Sequence, residues 1–309
     1  MDLKTKIGKI ELKNPVLVAS GTFGHAKEFE KFFDLKKLGG IVTKTITMKP
    51  RLGNPPQRIV ETPSGMLNAI GLQNPGIEKF IEEKMPYFRK IGIPIIVSVM
   101  AYQIDEFAEL IKMLDRVPGV SGYELNLSCP NVSYGSSAKG SAVKMFAHDD
   151  EMIGQVVRAV RGVTQKTVIA KLGPDVSDIG SKAQAAERAG ADAIALINTF
   201  MAMVIDIKTR KPVLANKTGG LSGPCIRPIA VRMVWEAAQK VSIPVIGIGG
   251  IMSGEDASQF LIAGASAVQV GTANFMNPRA PMDVLEGIQD YMHSQKIGKL
   301  RDLIGSIQI

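Results

Sequence analysis

Short runs of mostly branched apolar residues recur along the chain, each bounded by Gly, Pro, Asn or Ser. They are PVLVAS at 15–20, GGIVTKT at 39–45, PIIVSVM at 94–100, GYELNLS at 122–128, TVIAKL at 167–172, ADAIALIN at 191–198, PVIGIGG at 244–250 and AVQVGTA at 267–273. Runs of this length and composition predict buried strands. Between them apolar residues return every three or four positions, which predicts helices over 27–37, 77–90, 104–116, 149–161, 179–189, 227–240 and 254–263, with a closing helix over 281–293.

Strands that are apolar at nearly every position belong to parallel sheets covered on both faces. Eight strand–helix units in succession suit a closed barrel better than an open sheet, so the pattern predicts an α/β fold, a (β/α)8 TIM barrel. The segment KIGKIELKN at 6–14 alternates like a β-hairpin ahead of the first strand. The connections 46–76, 129–148 and 199–226 exceed ordinary βα loops, and each follows a strand end, on the side where barrels build their active sites. No linker, low-complexity tract or repeat interrupts the pattern, so residues 1–309 are expected to form one domain.

Composition narrows the function. The 309 residues are 45% hydrophobic and 21% charged, enough apolar material for a large core. The first residues, MDLKTKIGKIEL, contain no apolar targeting core, and PIIVSVMAY is far too short to span a bilayer, so a soluble cytoplasmic protein without membrane attachment is expected. The formal charge of +8 suits a phosphate-bearing ligand or an acidic partner, but Lys and Arg are dispersed, as in IEKFIEEKMPYFRK, with no basic run interleaved with aromatics. A nucleic-acid partner is therefore not expected. Two cysteines, Cys129 and Cys225, exclude a disulfide framework and any CxxC metal site. His25, His148 and His293 are scattered without ligand spacing, so no metal is assigned.

In a barrel, residues at the carboxyl ends of the strands converge on one mouth. Here those positions carry Ala19 and Ser20, Lys44 and Thr45, Ser98, Asn126 with Cys129, Lys171, Asn198 with Thr199, Gly249 with Gly250, and Gly271 with Thr272. A purely structural rim has no need of two lysines, two asparagines and a cysteine, because buried polar groups cost free energy unless paired. Glycines after strands seven and eight let backbone amides approach a phosphate, although glycines also close tight βα turns. In NLSCPN, Pro130 ends the fourth strand and leaves Cys129 on a mouth loop beside Asn126 and Asn131. A free thiol has a reference pKa of about 8.5, so a positive neighbour makes it a usable base, whereas a cysteine is also commonly a small buried hydrophobe. Lys44 and Lys171 supply positive charge if they face the mouth, and are ordinary surface lysines if they do not. Asn68 and Asn74, in LNAIGLQNPG, serve either a heterocycle or the turns beside Gly71 and Gly76. Cys225, in SGPCIRP, has no comparable polar setting.

Taken together, VASGTFG, TKT, ETPSGMLNAIGLQNPG, ELNLSCPN, LINTF, ANKTGGLSGP, IGIGGI and QVGTANF resemble the class 1 dihydroorotate dehydrogenases, flavin barrels of pyrimidine biosynthesis, over nearly the whole chain. The resemblance implies that Ser20, Lys44, Thr45, Asn126, Lys171, Ile197, Gly223, Gly249, Gly250, Gly271 and Thr272 hold FMN, with Ser98 at a further flavin position where the subclass usually has Asn. It implies that Lys44, Asn68, Ala69, Ile70, Gly71, Leu72, Asn126, Asn198 and Thr199 surround dihydroorotate, and that Cys129 is the catalytic base. GTFG, NAIGLQNPG and ANKTGGLSGP are most similar to the NAD-linked subclass, type 1B. The implied assembly is a homodimer of this chain within a heterotetramer, the partner being an electron-transfer subunit that carries FAD and a [2Fe-2S] cluster. This chain has too few cysteines to hold that cluster. It departs from the family pattern at Ser98, in VSYGSSAKGSAVKMFAHDD after Cys129, and at Ala202, where glycine is typical.

Three other readings remain open on the residues. A fumarate-using class 1 enzyme shares the chemistry but not the acceptor. A tRNA dihydrouridine synthase is also a flavin barrel with a Cys, but it has an Asn-x-Gly-Cys-Pro pattern and a helical RNA-binding domain, where only a few dozen residues follow strand eight here. A barrel that has lost catalysis and serves assembly is opposed by Lys44, Asn126, Cys129 and Lys171.

Overall fold

The computed structural model describes residues 1–128 and 146–309. Eight parallel strands close into a barrel: β1 (Val16–Val18), β2 (Gly40–Val42), β3 (Ile95–Val99), β4 (Gly122–Asn126), β5 (Thr167–Leu172), β6 (Ala193–Leu196), β7 (Val245–Ile248) and β8 (Ala265–Val270). They pair in chain order, and β8 closes onto β1 through Val268–Val16, Gln269–Leu17 and Val270–Val18. Each predicted strand lies at its expected place, with β8 displaced toward the amino terminus because Ala273 already starts a short helix.

Alternation along the strands divides the interior in two. Val16, Val18, Tyr123, Leu125, Val168 and Ala170 face the surrounding helices, while Leu17, Val42, Ile96, Ile169, Ala195 and Ile246 fill the barrel. The amino-terminal hairpin, Thr5–Ile7 paired with Ile10–Leu12, places Ile7, Ile10 and Leu12 in that inner cluster and seals the barrel at the end opposite the mouth. Lys9 N donates to Thr167 Oγ1 at 2.9 Å and Thr5 Oγ1 to Ser266 O at 2.9 Å, which anchors the plug at the starts of β5 and β8. Burial of each of these aliphatic side chains contributes about 1.5–3 kcal/mol.

The helical expectations hold except at the first. Residues 27–37 form no α-helix but two single 3-10 turns, Lys27–Phe29 and Leu35–Lys37. Ala26 enters with a φ of 71°, and Asp34 accepts from Lys36 N, starting a second turn where a continuous helix was expected. The chain is held there by packing of Phe23 against Phe29 and Phe33. The helix predicted over 77–90 contains a widened turn, Phe80–Lys84, followed by Met85–Ile91. Pro86 has no N–H to offer the preceding turn, and a π-type segment accommodates the missing bond. The helices Ile104–Asp115, Asp150–Arg161, Ile179–Arg188, Arg227–Ala238, Gly254–Ile262 and Ala280–Ser294 complete the outer ring.

Two of the long connections contain structure that the hydrophobic pattern did not predict. Ile59–Thr62 and Gly65–Asn68 after β2 combine with Phe200–Ala202 and Gly219–Ser222 after β6 into a four-stranded antiparallel sheet. The registers Asn68–Gly220 and Met66–Ser222 join the two connections above the barrel mouth. Leu67, Ala69 and Leu214 form a small core of this sheet, and Ala202 packs against it, so the methyl group at that position is accommodated. Among the described residues, no helix is long and apolar enough to cross a membrane.

Candidate active site

The inward-facing positions become polar toward the carboxyl ends of the strands. The parity that places Ile96 and Ile169 in the barrel brings Ser98 and Lys171 to its upper layers, and Asn126 ends β4 on the same side. Above them lies a cavity of about 1200 Å³, its open mouth included. Its lining includes Ser20, Lys44, Thr45, Asn126, Lys171, Ile197, Gly249, Gly250, Gly271 and Thr272 from the barrel rim, and Asn68, Ile70, Gly71, Leu72, Asn198, Thr199 and Gly223 from the loops.

The floor is a connected set of hydroxyls and amides. Thr45 Oγ1 lies 3.0 Å from Ser20 Oγ and 3.0 Å from Ser98 Oγ, and accepts from Asn126 Nδ2 at 3.3 Å. Asn198 Nδ2 donates to Asn126 Oδ1 at 3.1 Å and to the Ser128 carbonyl at 3.0 Å, while Asn198 Oδ1 accepts from Thr199 N at 2.9 Å. Each amide is thereby fixed in orientation before any ligand arrives. Lys171, 6% exposed, brings its ammonium to 3.5 Å from the fully buried Glu124 carboxylate.

The ends of β7 and β8 form a glycine-walled side. Gly250 has a φ of 70°, and a Cβ there stands 2.8 Å from both the Gly223 carbonyl and Arg227 Cβ, so no larger residue fits. A Cβ on Gly271 meets only Ala19 Cβ at 3.5 Å, in a residue that lines the cavity. Thr272 Oγ1 donates to Ser222 Oγ at 2.9 Å, joining the loop sheet to this wall. The nearby helix Gly254–Ile262 is already capped: Ser253 Oγ accepts from Asp256 N, and the Asp256 carboxylate accepts from Met252 N and Ser253 N and pairs with Arg227.

Two candidates stand off the cavity surface. Ser98 is fully buried one layer down and reaches the floor through Thr45. Ala69 is fully buried in the loop-sheet core, its N–H donating to the Arg58 carbonyl. Asn74 serves the turn, with Oδ1 accepting from Gly76 N at 2.9 Å and Thr47 N at 3.2 Å. Cys129 and Asn131 fall outside the described residues; Ser128, whose carbonyl accepts from Asn198, is the last described residue before them. Cys225 is exposed on the turn Pro224–Ile226, and partial shielding from solvent pushes its thiol pKa upward, which favours the protonated form. His25 is half-buried; burial and then the Lys84 charge push its imidazole below the ordinary range, with a smaller contribution from Lys44 and with Glu28 opposing.

The sequence pattern missed several contributors. Met66 and Ser222 line the cavity from the loop sheet, as does Phe275 beyond β8. Glu124 and Gln269 lie under the floor, and their signal was available: each is a polar residue two positions before a mouth residue, in GYELN and AVQVG. Among the described residues, no group of three or more His, Cys, Asp or Glu side chains is arranged to hold a metal ion.

A (β/α)8 barrel whose mouth gathers two lysines, paired amides and a glycine wall after strands seven and eight has the build of a barrel enzyme. The family model described as dihydroorotate dehydrogenase matches residues 2–292, and the chain belongs to that family. It is 51% identical over 306 residues to the dihydroorotate dehydrogenase B (NAD(+)) catalytic subunit of Trichlorobacter lovleyi, covering 99% of this chain and 98% of that one. It is also 51% identical to the proteins of the same name from Thermodesulfovibrio yellowstonii, over 99% of both chains, and Thermoanaerobacter pseudethanolicus, over 100% of both.

Proposed function

We infer that the chain is the catalytic subunit of an NAD-linked dihydroorotate dehydrogenase, oxidising (S)-dihydroorotate to orotate in the synthesis of UMP in the cytoplasm. Full-length identity of about half to relatives bearing that name supports the reading. The observation that carries it is the Asn126–Asn198 pair, oriented beside Lys171 on the floor of a cavity with a glycine wall.

The residues present fit FMN. The donor set of Asn126, Lys44, Lys171, Ser20 and Thr45 suits the polar edge of an isoalloxazine, and Ile197 and Ile248 offer apolar contact. The loop amides around Gly250, Gly271 and Thr272 suit its phosphate, since the start of helix Gly254–Ile262 is occupied by its own cap. Gly223 and Gly249 belong to the same wall. Residues 1–309 are read as one FMN-binding unit. When bound, FMN supplies the acceptor for the hydride from C6 of the substrate.

The chain's own residues do the rest. Asn68, Asn126 and Asn198 bind the flat ring through their amides, and Ala69, Ile70, Gly71, Leu72 and Thr199 supply the surrounding loop. Cys129 removes the C5 proton as general base. Lys44 balances negative charge beside cofactor and substrate. A partner subunit, in a heterotetramer built on a homodimer of this chain, would hold FAD and a [2Fe-2S] cluster and would supply the route to NAD.

The test compares dihydroorotate oxidation by the purified chain, with and without the candidate partner, using NAD, fumarate and an artificial dye. Dye reduction by the chain alone, and NAD reduction only with the partner, is the expected result. Fumarate reduction by the chain alone excludes the NAD-linked assignment, and a chain that neither carries nor binds FMN excludes the activity.

A further inference from the structure

Layers of branched apolar side chains ordinarily fill a barrel interior. Here two strands place polar side chains one inward-facing position below the cavity floor, among apolar neighbours such as Leu17, Ile169 and Ile248. Glu124 lies two residues before Asn126 on β4, and Gln269 two residues before Gly271 on β8. These strands stand on opposite sides of the closed barrel. Both side chains are completely buried, and Gln269 Nε2 donates to Glu124 Oε2 at 2.9 Å across the interior. The other carboxylate oxygen, Oε1, lies 3.5 Å from Lys171 Nζ. Since Lys171 also lines the cavity, one ammonium joins the buried carboxylate to the cofactor space.

Stability does not explain such an arrangement. Removing a carboxylate and an ammonium from water costs several kcal/mol per ion, and a well-packed apolar layer is often at least as stable as a buried pair. An unanchored lysine also spreads its charge over many rotamers, with roughly 2 kcal/mol of side-chain entropy to lose on fixing. Glu124 removes that freedom from below, and Gln269 holds the carboxylate in turn.

Resting on the FMN reading above, we propose that Glu124, braced by Gln269 from the opposite wall, is a positioning residue for Lys171. It fixes the ammonium at the cavity floor and offsets part of its charge, and so sets the midpoint potential of the bound flavin. Reduction adds negative charge to the ring, so the positive charge Lys171 presents determines how readily that charge is accepted.

The test is a double-mutant cycle on the flavin-loaded full chain, read as the two-electron midpoint potential by anaerobic equilibration with a reference dye. Glu124→Gln removes the offsetting charge while keeping shape, and is expected to raise the potential. Lys171→Met is expected to lower it. In the double variant the potential should match Lys171→Met alone, because a positioning residue acts only through the group it positions, and that ammonium is gone. The proposal is overturned if Glu124→Gln leaves the potential unchanged or lowers it, or if more than half of its upward shift recurs on the Lys171→Met background. A purely structural role would reduce thermal stability or flavin content without moving the potential.

Should Glu124→Gln not fold, the exchanged pair Glu124→Gln/Gln269→Glu keeps one carboxylate and one amide in the layer but moves the charge to the far wall. It is expected to raise the potential, and a wild-type potential in that variant equally overturns the proposal. A wild-type chain that binds no FMN overturns the functional reading, and this proposal with it, which separates the two failures.

Discussion

Asn198 donates through Nδ2 to Oδ1 of Asn126 at 3.1 Å, linking the ends of β4 and β6 across the intervening β5. The Asn126 amide is thereby turned so that Nδ2 faces Thr45. Replacing Asn198 by Ala leaves the Asn126 carbonyl without that donor and frees the amide to rotate. Loss of one such bond costs about 1–3 kcal/mol, so orotate affinity should weaken roughly 5- to 140-fold. Flavin content should remain, because the glycine wall is untouched. Titration of flavin absorbance with orotate checks both, and affinity within twofold of wild type would remove Asn198 from the binding machinery.

Gly250 permits the close approach of the β7 loop to the turn at Gly223. Gly250→Ala forces a side chain at a φ of 70° and places its Cβ 2.8 Å from a backbone carbonyl. A strained backbone position of this kind costs on the order of 1–3 kcal/mol. Lower thermal stability and reduced FMN stoichiometry should appear together, since the same loop forms both. Differential scanning calorimetry with flavin extraction measures the pair, and full stability with full flavin would show that the wall tolerates displacement.

Asp150 joins two helices of the outer ring, accepting from Lys182 Nζ at 2.6 Å and Ser181 Oγ at 2.6 Å. The Lys182 hydrogen bond, then that of Ser181, holds its carboxyl below the ordinary value of 3.8, with partial burial opposing. The folded pKa lies below the unfolded one, so the stabilisation is fully present above the unfolded value and is lost as pH falls through the folded value. Asp150 is 40% exposed in its side chain, which limits the effect to about 1 kcal/mol or less. Asp150→Asn should therefore be slightly less stable than wild type at pH 6, and the two should converge in urea melts as the pH falls well below the ordinary carboxyl value of 3.8. A constant difference throughout that fall would show that the carboxylate charge is not responsible.

The barrel was legible because every strand repeats one local signal, a short apolar run with a glycine or proline beside it. The loop sheet was not. Its strands are three or four residues long, with glycines as at Gly219 and Gly220, and Met66 finds Ser222 only across a long separation in sequence, so no local periodicity marks them. The first helix failed for a related reason: apolar spacing at 27–37 reflects phenylalanines packing on Phe23, with Ala26 and Asp34 breaking the backbone into separate turns. Among the mouth residues, strand parity located Asn126 and Lys171 directly. It did not by itself distinguish Ser98, one layer below, from residues on the surface, because depth along a strand depends on where the barrel floor begins.

The proposed base generates the sharpest prediction. A general base acts only when deprotonated, so the rate of flavin reduction by dihydroorotate should rise with pH and then level off as the base becomes fully deprotonated. Cys129→Ala should fold, retain its yellow colour and bind orotate, since Asn126, Asn198 and Thr45 hold one another on the floor and Thr272 and Ser222 join at the glycine wall. Its reductive half-reaction should be slower by about 10²–10⁴-fold, the usual contribution of a positioned base, and should lose the rise with pH. Cys129→Ser, with a far less acidic hydroxyl, should be nearly as slow at neutral pH and gain on the alkaline side. Anaerobic stopped-flow measurements across pH 6–10 separate the cases. An alanine variant that is slow yet keeps the wild-type pH profile would assign the titrating group elsewhere, whereas wild-type rates at every pH would remove Cys129 from proton transfer altogether.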